Sequence, residues 1–239
     1  MNILSINIAS GIYYNFDYFF LLIPAMIISL AAQIAVKRNY SKMSSVYSKS
    51  GYSGAQAAYA VLRHYGVNDV RIEQCSGKLT DHYDPKNNVI RLSEGVYSST
   101  SIAAIGIACH EAGHAVQYAD SYAPIRLRNS FLPVCKIGSY AGIPLAFLGM
   151  LLSFDTLIFV GLLLYSFIMF FQLITLPIEL NASKRALSMI SDTGLLRDET
   201  ELSGAKKVLI SAAFTYVAAL ISSLANLLRF ILIFTRRRD

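Results

Sequence analysis

The residues best suited to chemistry in this chain are the run His-Glu-Ala-Gly-His at positions 110 to 114. Residues four apart lie on one face of a helix, so His110 and His114 can each direct a ring nitrogen at the same metal ion. Glu111 lies one position further round, where its carboxylate can reach a water on the metal. Zinc lowers the pKa of such a water to about 7, and a carboxylate can take its proton. The spacing therefore predicts a catalytic zinc site with Glu111 as the general base.

A catalytic zinc site needs a third protein ligand and leaves its fourth position for water. Asp120 lies where the long metzincin pattern would place that ligand, but this pattern needs a glycine at 117, where the chain has Gln117. His64 and His82 are alternatives of an unusual type. A different pattern takes a glutamate from a second helix far downstream, and Glu179 is the best candidate for it.

The composition indicates a membrane protein. Of 239 residues, 54% are hydrophobic and only 15% are charged, which excludes a disordered chain and disfavours an ordinary soluble domain. The formal net charge is +6, but the cationic residues follow the ends of apolar segments and are not interleaved with aromatic ones. A nucleic-acid partner is therefore not predicted, and a lipid bilayer is. The three cysteines form no CxxC pair and are interpreted as small buried residues.

Three apolar regions are long enough to span a bilayer. Residues 16–36 predict a retained N-terminal anchor, and Lys37 and Arg38 follow it directly. Residues 131–178 are too long for one span and predict a hairpin with a turn at 153–156. Residues 208–234 predict a fourth span, or alternatively a helix that lies in the membrane interface or packs against the catalytic part.

The distribution of Lys and Arg predicts which side of the membrane each polar segment occupies. The tail before residue 16 has no Lys or Arg, whereas the segment 37–130 has many, which favours a cytoplasmic location for that segment. The hairpin crosses twice, so His114 and Glu179 are predicted to lie on the same side. A full fourth span would place the terminal arginines 236–238 outside, against the rule, and the sequence leaves this conflict open.

The polar segment 37–130 predicts a small α+β unit. Helical spacing covers 54–65 and 101–120, with Gly66 as a cap of the first helix, and short strands are predicted at 67–73 and 89–93. The predicted organisation is an anchor over 1–36, this unit over 37–130, the hairpin over 131–178, a segment with the third ligand over 179–207, and a C-terminal helix with a basic tail over 208–239.

The chain resembles a known family, that of the membrane-bound neutral zinc metallopeptidases of bacteria. It resembles more distantly the HtpX-type gluzincin membrane peptidases. The resemblance is carried by Leu-Thr-Asp-His-Tyr-Asp-Pro at 79–85, Val-Ile-Arg-Leu-Ser at 89–93, Ser-Ile-Ala-Ala at 101–104, residues 110–117, Tyr-Ala-Pro at 122–124, Pro-Ile-Glu at 177–179, Ala-Ser-Lys-Arg-Ala at 182–186, Gly-Ala-Lys-Lys-Val-Leu at 204–209 and Thr-Tyr-Val-Ala-Ala at 215–219.

The resemblance implies a peptidase. In HtpX-type enzymes the third ligand opens a Glu-x-x-Ala-Asp motif, which Glu179 and Ala182 match, whereas Ser183 replaces the Asp that would orient a histidine ligand. Candidates for that orienting role are Ser183, Asn181 and Asp192. Such enzymes pair an extended substrate with an edge strand beside the zinc, and the strand 89–93 is the expected choice.

Two neighbouring residues could act on the reacting carbonyl. His82 or Tyr83 could donate a hydrogen bond to the oxyanion of the tetrahedral intermediate. The alternative is that the acidic residues Asp81 and Asp84, with His82, organise a turn ahead of Pro85.

The sequence therefore predicts a mainly α integral membrane protein with three to four transmembrane helices and a small α+β zincin-like catalytic unit. The predicted function is that of a zinc endopeptidase of the bacterial cell membrane, with its site on the cytoplasmic side. Zn2+ is bound by His110, His114 and Glu179, Glu111 is the base, His82 is a candidate oxyanion donor, and the substrates are peptides or protein segments. The alternative is a non-proteolytic scaffold or chaperone with a structural zinc site; against it, such a site needs no base like Glu111. The sequence does not predict an oligomeric state.

Overall fold

The computed structural model describes residues 20–235, and these form seven helices and three strands. The elements in chain order are α1 (Leu22–Ser44), α2 (Gly54–His64), β1 (Arg71–Cys75), β2 (His82–Asp84), β3 (Val89–Ser93), α3 (Glu94–Tyr97), α4 (Ile102–Ala119), α5 (Ala123–Leu151), α6 (Asp155–Asp192) and α7 (Glu199–Thr235). The chain divides into two compact units. Among the described residues one unit contains 20–31, 128–174 and 215–235, and the other contains 32–127 and 175–214.

Within the described part of the chain, three helices are long and apolar enough to cross a membrane: α5, α6 and α7. Only 28%, 17% and 11% of the residues in their most apolar stretches are buried inside the protein, so large apolar side chains cover their surfaces. An apolar surface of this extent is suited to lipid rather than water. The predicted anchor at 16–36 lies partly outside the described residues, and α1 begins at Leu22.

The hairpin formed by α5 and α6 is closed by small residues. The chain turns between Leu151 and Asp155, at the predicted turn, and Ser153 there takes a left-handed φ of 52°. A Cβ atom on Gly161 would overlap the backbone of Ala146, and one on Gly138 would overlap the carbonyl of Leu164. The two helix backbones can therefore approach as closely as they do only because glycine stands at these positions.

Side-chain hydroxyls join the helices of this apolar unit. Ser29 Oγ of α1 lies 2.9 Å from Ser222 Oγ of α7, and Ser223 Oγ of α7 donates to Gln172 Oε1 of α6 over 2.6 Å. Such pairs satisfy polar groups that stand among apolar side chains.

The second unit contains the sheet, whose strand order is β1-β3-β2. β1 runs parallel to β3 and β2 antiparallel to it, with Tyr83 opposite Ile90. The strand predicted at 89–93 is confirmed, but its prediction as the edge strand is wrong, because β3 is paired on both sides. The edge that lies beside α4 belongs to the three-residue strand β2, which is too short for an alternating pattern to reveal it.

Helix α4 runs through the core of this unit. It begins after Ser101, whose hydroxyl accepts a hydrogen bond from Ala104 N over 3.2 Å, as an N-cap does. Its side chains Ile105, Ala108 and Ala112 are buried in one cluster with residues of α2, β3 and the end of α6. The helix that carries the His-Glu-x-x-His run is thus held on several sides by packing.

Candidate metal centre

His110 and His114 lie one turn apart on α4 and face Glu179 of α6. The Nε2 atom of His110 is 3.3 Å from Glu179 Oε2, and the Nε2 atom of His114 is 3.5 Å from the same oxygen. Ligand atoms of the three side chains all lie within 4.8 Å of one another. Glu179 is 7% exposed and both imidazoles are largely enclosed. Glu179 lies 65 positions after His114 and 69 after His110 in the sequence, and the tertiary structure brings it to both histidines.

The three side chains fit a zinc ion. Ligand atoms about 2.1 Å from a tetrahedral zinc lie about 3.4 Å apart. The observed separations of 3.3 and 3.5 Å match that geometry. Two imidazoles and one carboxylate form one of the usual ligand sets of catalytic zinc, in which the fourth position stays open.

Close packing of α4 on α6 places Glu179 opposite the histidines. Gly113 lies between the two histidines in the sequence, and a Cβ on Gly113 would come 2.9 Å from the carbonyl oxygen of Ala182 on α6. A larger residue at 113 would push the helices apart. The glycine inside the His-Glu-Ala-Gly-His run is therefore explained by the helix that passes over it.

Each imidazole has a partner at its other nitrogen. A hydrogen bond of 3.1 Å joins His110 Nδ1 and Ser183 Oγ, and one of 3.0 Å joins His114 Nδ1 and Gln117 Oε1. Of the three residues suggested for orienting a histidine, Ser183 is the one that contacts it directly. The hydroxyl thus occupies the place where the related motif has a carboxylate.

Glu111 is separate from the ligand group and lies under the edge of the sheet. Its side chain is buried, with 9% of the residue exposed, and Oε2 accepts a hydrogen bond of 3.0 Å from the backbone N–H of Tyr83. This contact joins the carboxylate to β2. A carboxylate next to a metal site but outside its ligand set is the arrangement expected of a general base.

The charge of Glu179 acts on the histidines. Burial disfavours a charged imidazole at His114, but hydrogen bonding and attraction from Glu179, with a contribution from Glu111, raise the pKa of His114 above its ordinary value. Protons compete with a metal ion for Nε2, so metal binding is expected to weaken at acidic pH.

The other candidate ligands lie elsewhere or have other partners. Asp120 ends α4 and forms an ion pair with Arg185. His64 ends α2, where its ring contacts Tyr65. Neither belongs to the group formed by His110, His114 and Glu179.

Within the segment 81–84, Asp84 organises the turn considered as the alternative role, whereas Asp81 binds Ser93 of β3. Asp84 accepts hydrogen bonds from the Arg91 guanidinium, from the side-chain amide of Asn87 and from the backbone N–H groups of Lys86 and Asn87, and these hold the pKa of Asp84 below its usual range. Asp81 accepts from the backbone and the hydroxyl of Ser93. The Tyr83 hydroxyl donates to Asn88 Oδ1 over 2.7 Å, which leaves His82 as the candidate for the oxyanion.

The hydrogen bonding of His82 sets a condition on that role. His82 Nδ1 lies 2.7 Å from the carbonyl oxygen of Thr80, which can only accept, so Nδ1 carries the proton. A neutral His82 then has only a lone pair at Nε2. It can donate to an oxyanion only as the imidazolium.

Sequence reasoning missed two contributions to the site. One is the backbone N–H of Tyr83, which no side-chain pattern reports. The other is Gln117, which is fully buried and touches His114. Its position three residues after His114 on the same helix was a signal that could have found it.

Comparison with known proteins shows the family of the chain. A family model described as "Putative neutral zinc metallopeptidase" matches residues 18–235. The chain belongs to this family. It is similar to "Putative membrane protease YugP" of Bacillus subtilis (strain 168), with 48% identity over 223 residues that cover 93% of this chain and 98% of that protein. No solved structure matches the chain significantly.

Proposed function

We propose that this member of the family is a membrane-embedded zinc endopeptidase that hydrolyses peptide bonds. The observation that carries the proposal is the convergence of His110, His114 and Glu179 on one point, with the Glu111 carboxylate beside them but outside the ligand set. A purely structural zinc site closes its fourth position and has no use for such a carboxylate.

In this mechanism zinc, when bound, acts as a Lewis acid that activates water and polarises the scissile carbonyl. His110, His114 and Glu179 hold the ion. Glu111 takes the proton from the attacking water, and its burial against β2 holds the carboxylate in one position. The same carboxyl group then delivers the proton to the nitrogen of the leaving amine.

The edge strand β2 is the proposed docking site for the substrate backbone. Because β2 pairs with β3 on one side only, the backbone groups of its other edge, apart from the Tyr83 N–H that donates to Glu111, can pair with an extended peptide. Tyr83 is the residue whose N–H points to Glu111, so a peptide bound there would pass beside the base. Backbone pairing of this kind gives affinity with little dependence on side chains.

The location of the substrate is also part of the proposal. Glu179 directly follows the apolar stretch 157–178 in the sequence, and the positive residues of 37–130 favour the cytoplasmic side. We expect a multi-pass protein that cleaves peptides or protein segments presented near the cytoplasmic surface of the membrane.

The test measures peptide hydrolysis by the full chain after it has been purified and reconstituted into lipid bilayers. An unstructured protein substrate should be cleaved into peptides detectable by mass spectrometry, cleavage should stop when a chelator removes zinc, and added zinc should restore it. Bound zinc with no hydrolysis of any of a diverse set of peptides would instead favour the alternative, a scaffold or chaperone with a structural metal site.

The role of His82 gives a separate prediction. Replacing His82 by Leu removes the ring N–H donor and is expected to lower kcat by about 10²-fold with little change in KM, because an oxyanion donor acts only in the transition state. His64→Leu provides the matched control, since His64 lies at the end of α2 and does not belong to the ligand group. Equal activity of both variants would assign His82 to the turn alone.

A further inference from the structure

The hydrogen bonds around Gln117 determine the direction in which its amide points. The side chain is fully buried, and its Nε2 atom lies 2.8 Å from the carbonyl oxygen of Ile178 and 2.9 Å from Asn181 Oδ1. A backbone carbonyl can only accept, so the nitrogen of Gln117 must face Ile178.

Arg185 supports the same orientation from the other end. Its Nε–H donates to Asn181 Oδ1 over 3.0 Å, and a guanidinium can only donate. The group of Asn181 that faces Gln117 is therefore the oxygen, and it takes a second hydrogen bond from Gln117. Two acceptors on α6 thus hold the amide nitrogen of Gln117.

The orientation of Gln117 in turn determines which nitrogen of the candidate metal ligand His114 carries the proton. Because the nitrogen of Gln117 is hydrogen-bonded to α6, only Oε1 faces His114, and that oxygen must accept a hydrogen bond from Nδ1–H over 3.0 Å. The proton of the neutral ring is then on Nδ1, and the lone pair is on Nε2, the atom that faces Glu179.

We propose that Gln117 is a positioning residue that locks His114 in the tautomer with Nδ1–H, and that it couples this ligand to the helix carrying Glu179. The inference rests on the proposed zinc site. The coupling is direct, because Ile178, whose carbonyl holds Gln117, immediately precedes Glu179. A change in the position of α6 would therefore move both ligands together.

The two histidines differ in this respect. His110 Nδ1 meets the hydroxyl of Ser183, which can either donate or accept and so leaves the tautomer of that ring undetermined. His114 Nδ1 faces Gln117 Oε1, which can only accept a hydrogen bond. The tautomer is therefore fixed at His114 and left open at His110, and in neither ring is the partner of Nδ1 a carboxylate.

The experiment measures zinc affinity and the Nδ1 proton in the zinc-loaded full chain in lipid. Zinc Kd comes from competition with a chelator, and the protected imidazole Nδ1–H is followed by nitrogen-15 NMR. Gln117→Met keeps the size of the side chain but removes its oxygen and nitrogen. We expect its zinc Kd to rise about 10- to 100-fold and the protected Nδ1–H signal of His114 to be lost.

Two further sets of variants make the result specific. Asn181→Asp keeps an acceptor for both Gln117 and Arg185 and should retain the wild-type Kd, whereas Asn181→Leu removes one of the two acceptors and should raise the Kd by about 3- to 10-fold. Ser183→Ala should alter the Nδ1 signal of His110 and leave that of His114 in place.

The outcomes separate the inference from the function that it rests on. A wild-type Kd together with an intact His114 signal in Gln117→Met would overturn the role of Gln117 and leave the zinc site standing. A tight wild-type zinc site that Glu179→Ala does not weaken would overturn the proposed ligand set itself, and the coupling of Gln117 to it would fall as well.

Discussion

Glu111→Gln is expected to abolish peptide hydrolysis while the protein keeps its zinc. The amide has no basic lone pair to take a proton, so kcat/KM should fall by about 10³-fold or more. Its oxygen can still accept the hydrogen bond from Tyr83 N–H, so α4 and β2 should keep their contact. The measurement pairs cleavage kinetics with zinc content by elemental analysis on the same preparation.

The control for this variant is Glu94→Gln, which makes the same chemical change at an exposed position of α3. It should retain wild-type activity. A Glu111→Gln protein that cleaves at the wild-type rate would rule out Glu111 as the base, and one that has lost zinc would show that the carboxylate supports the metal site rather than the chemistry.

Glu179→Ala is expected to remove most of the zinc. The wild-type chain should contain about one zinc ion, since the three side chains converge as the candidate ligands of a single ion. Loss of one of three protein ligands should weaken zinc binding more than about 100-fold, because even partners that only orient a ligand account for about 10- to 100-fold. Elemental analysis after dialysis against a weak chelator measures the difference, and activity should disappear in parallel.

Asp120→Ala is the matched control, because Asp120 was the rival third ligand and instead pairs with Arg185. It should keep its zinc. If Glu179→Ala kept full zinc and Asp120→Ala lost it, the ligand set would follow the metzincin pattern. The hairpin would then no longer be needed to bring the third ligand to the side of the histidines.

Local patterns predicted the helices well. The helices expected at 54–65 and 101–120 are observed as Gly54–His64 and Ile102–Ala119, because their apolar spacing and their serine N-caps are local in the sequence. The strand expected at 67–73 is displaced to Arg71–Cys75, where pairing with β3 decides its bounds. The turn of the hairpin also lies close to its predicted position.

Helical spacing alone was enough to predict a metal site, because it puts His110 and His114 on one face and Glu111 beside them. Composition alone showed which segments are apolar enough for a membrane. Strand order, the edge beside Glu111 and the orientation of Gln117 could be read only from the folded chain. These features depend on contacts between residues tens of positions apart, as between Gln117 and Ile178, which result from packing of whole helices and strands and leave no periodic trace in the chain.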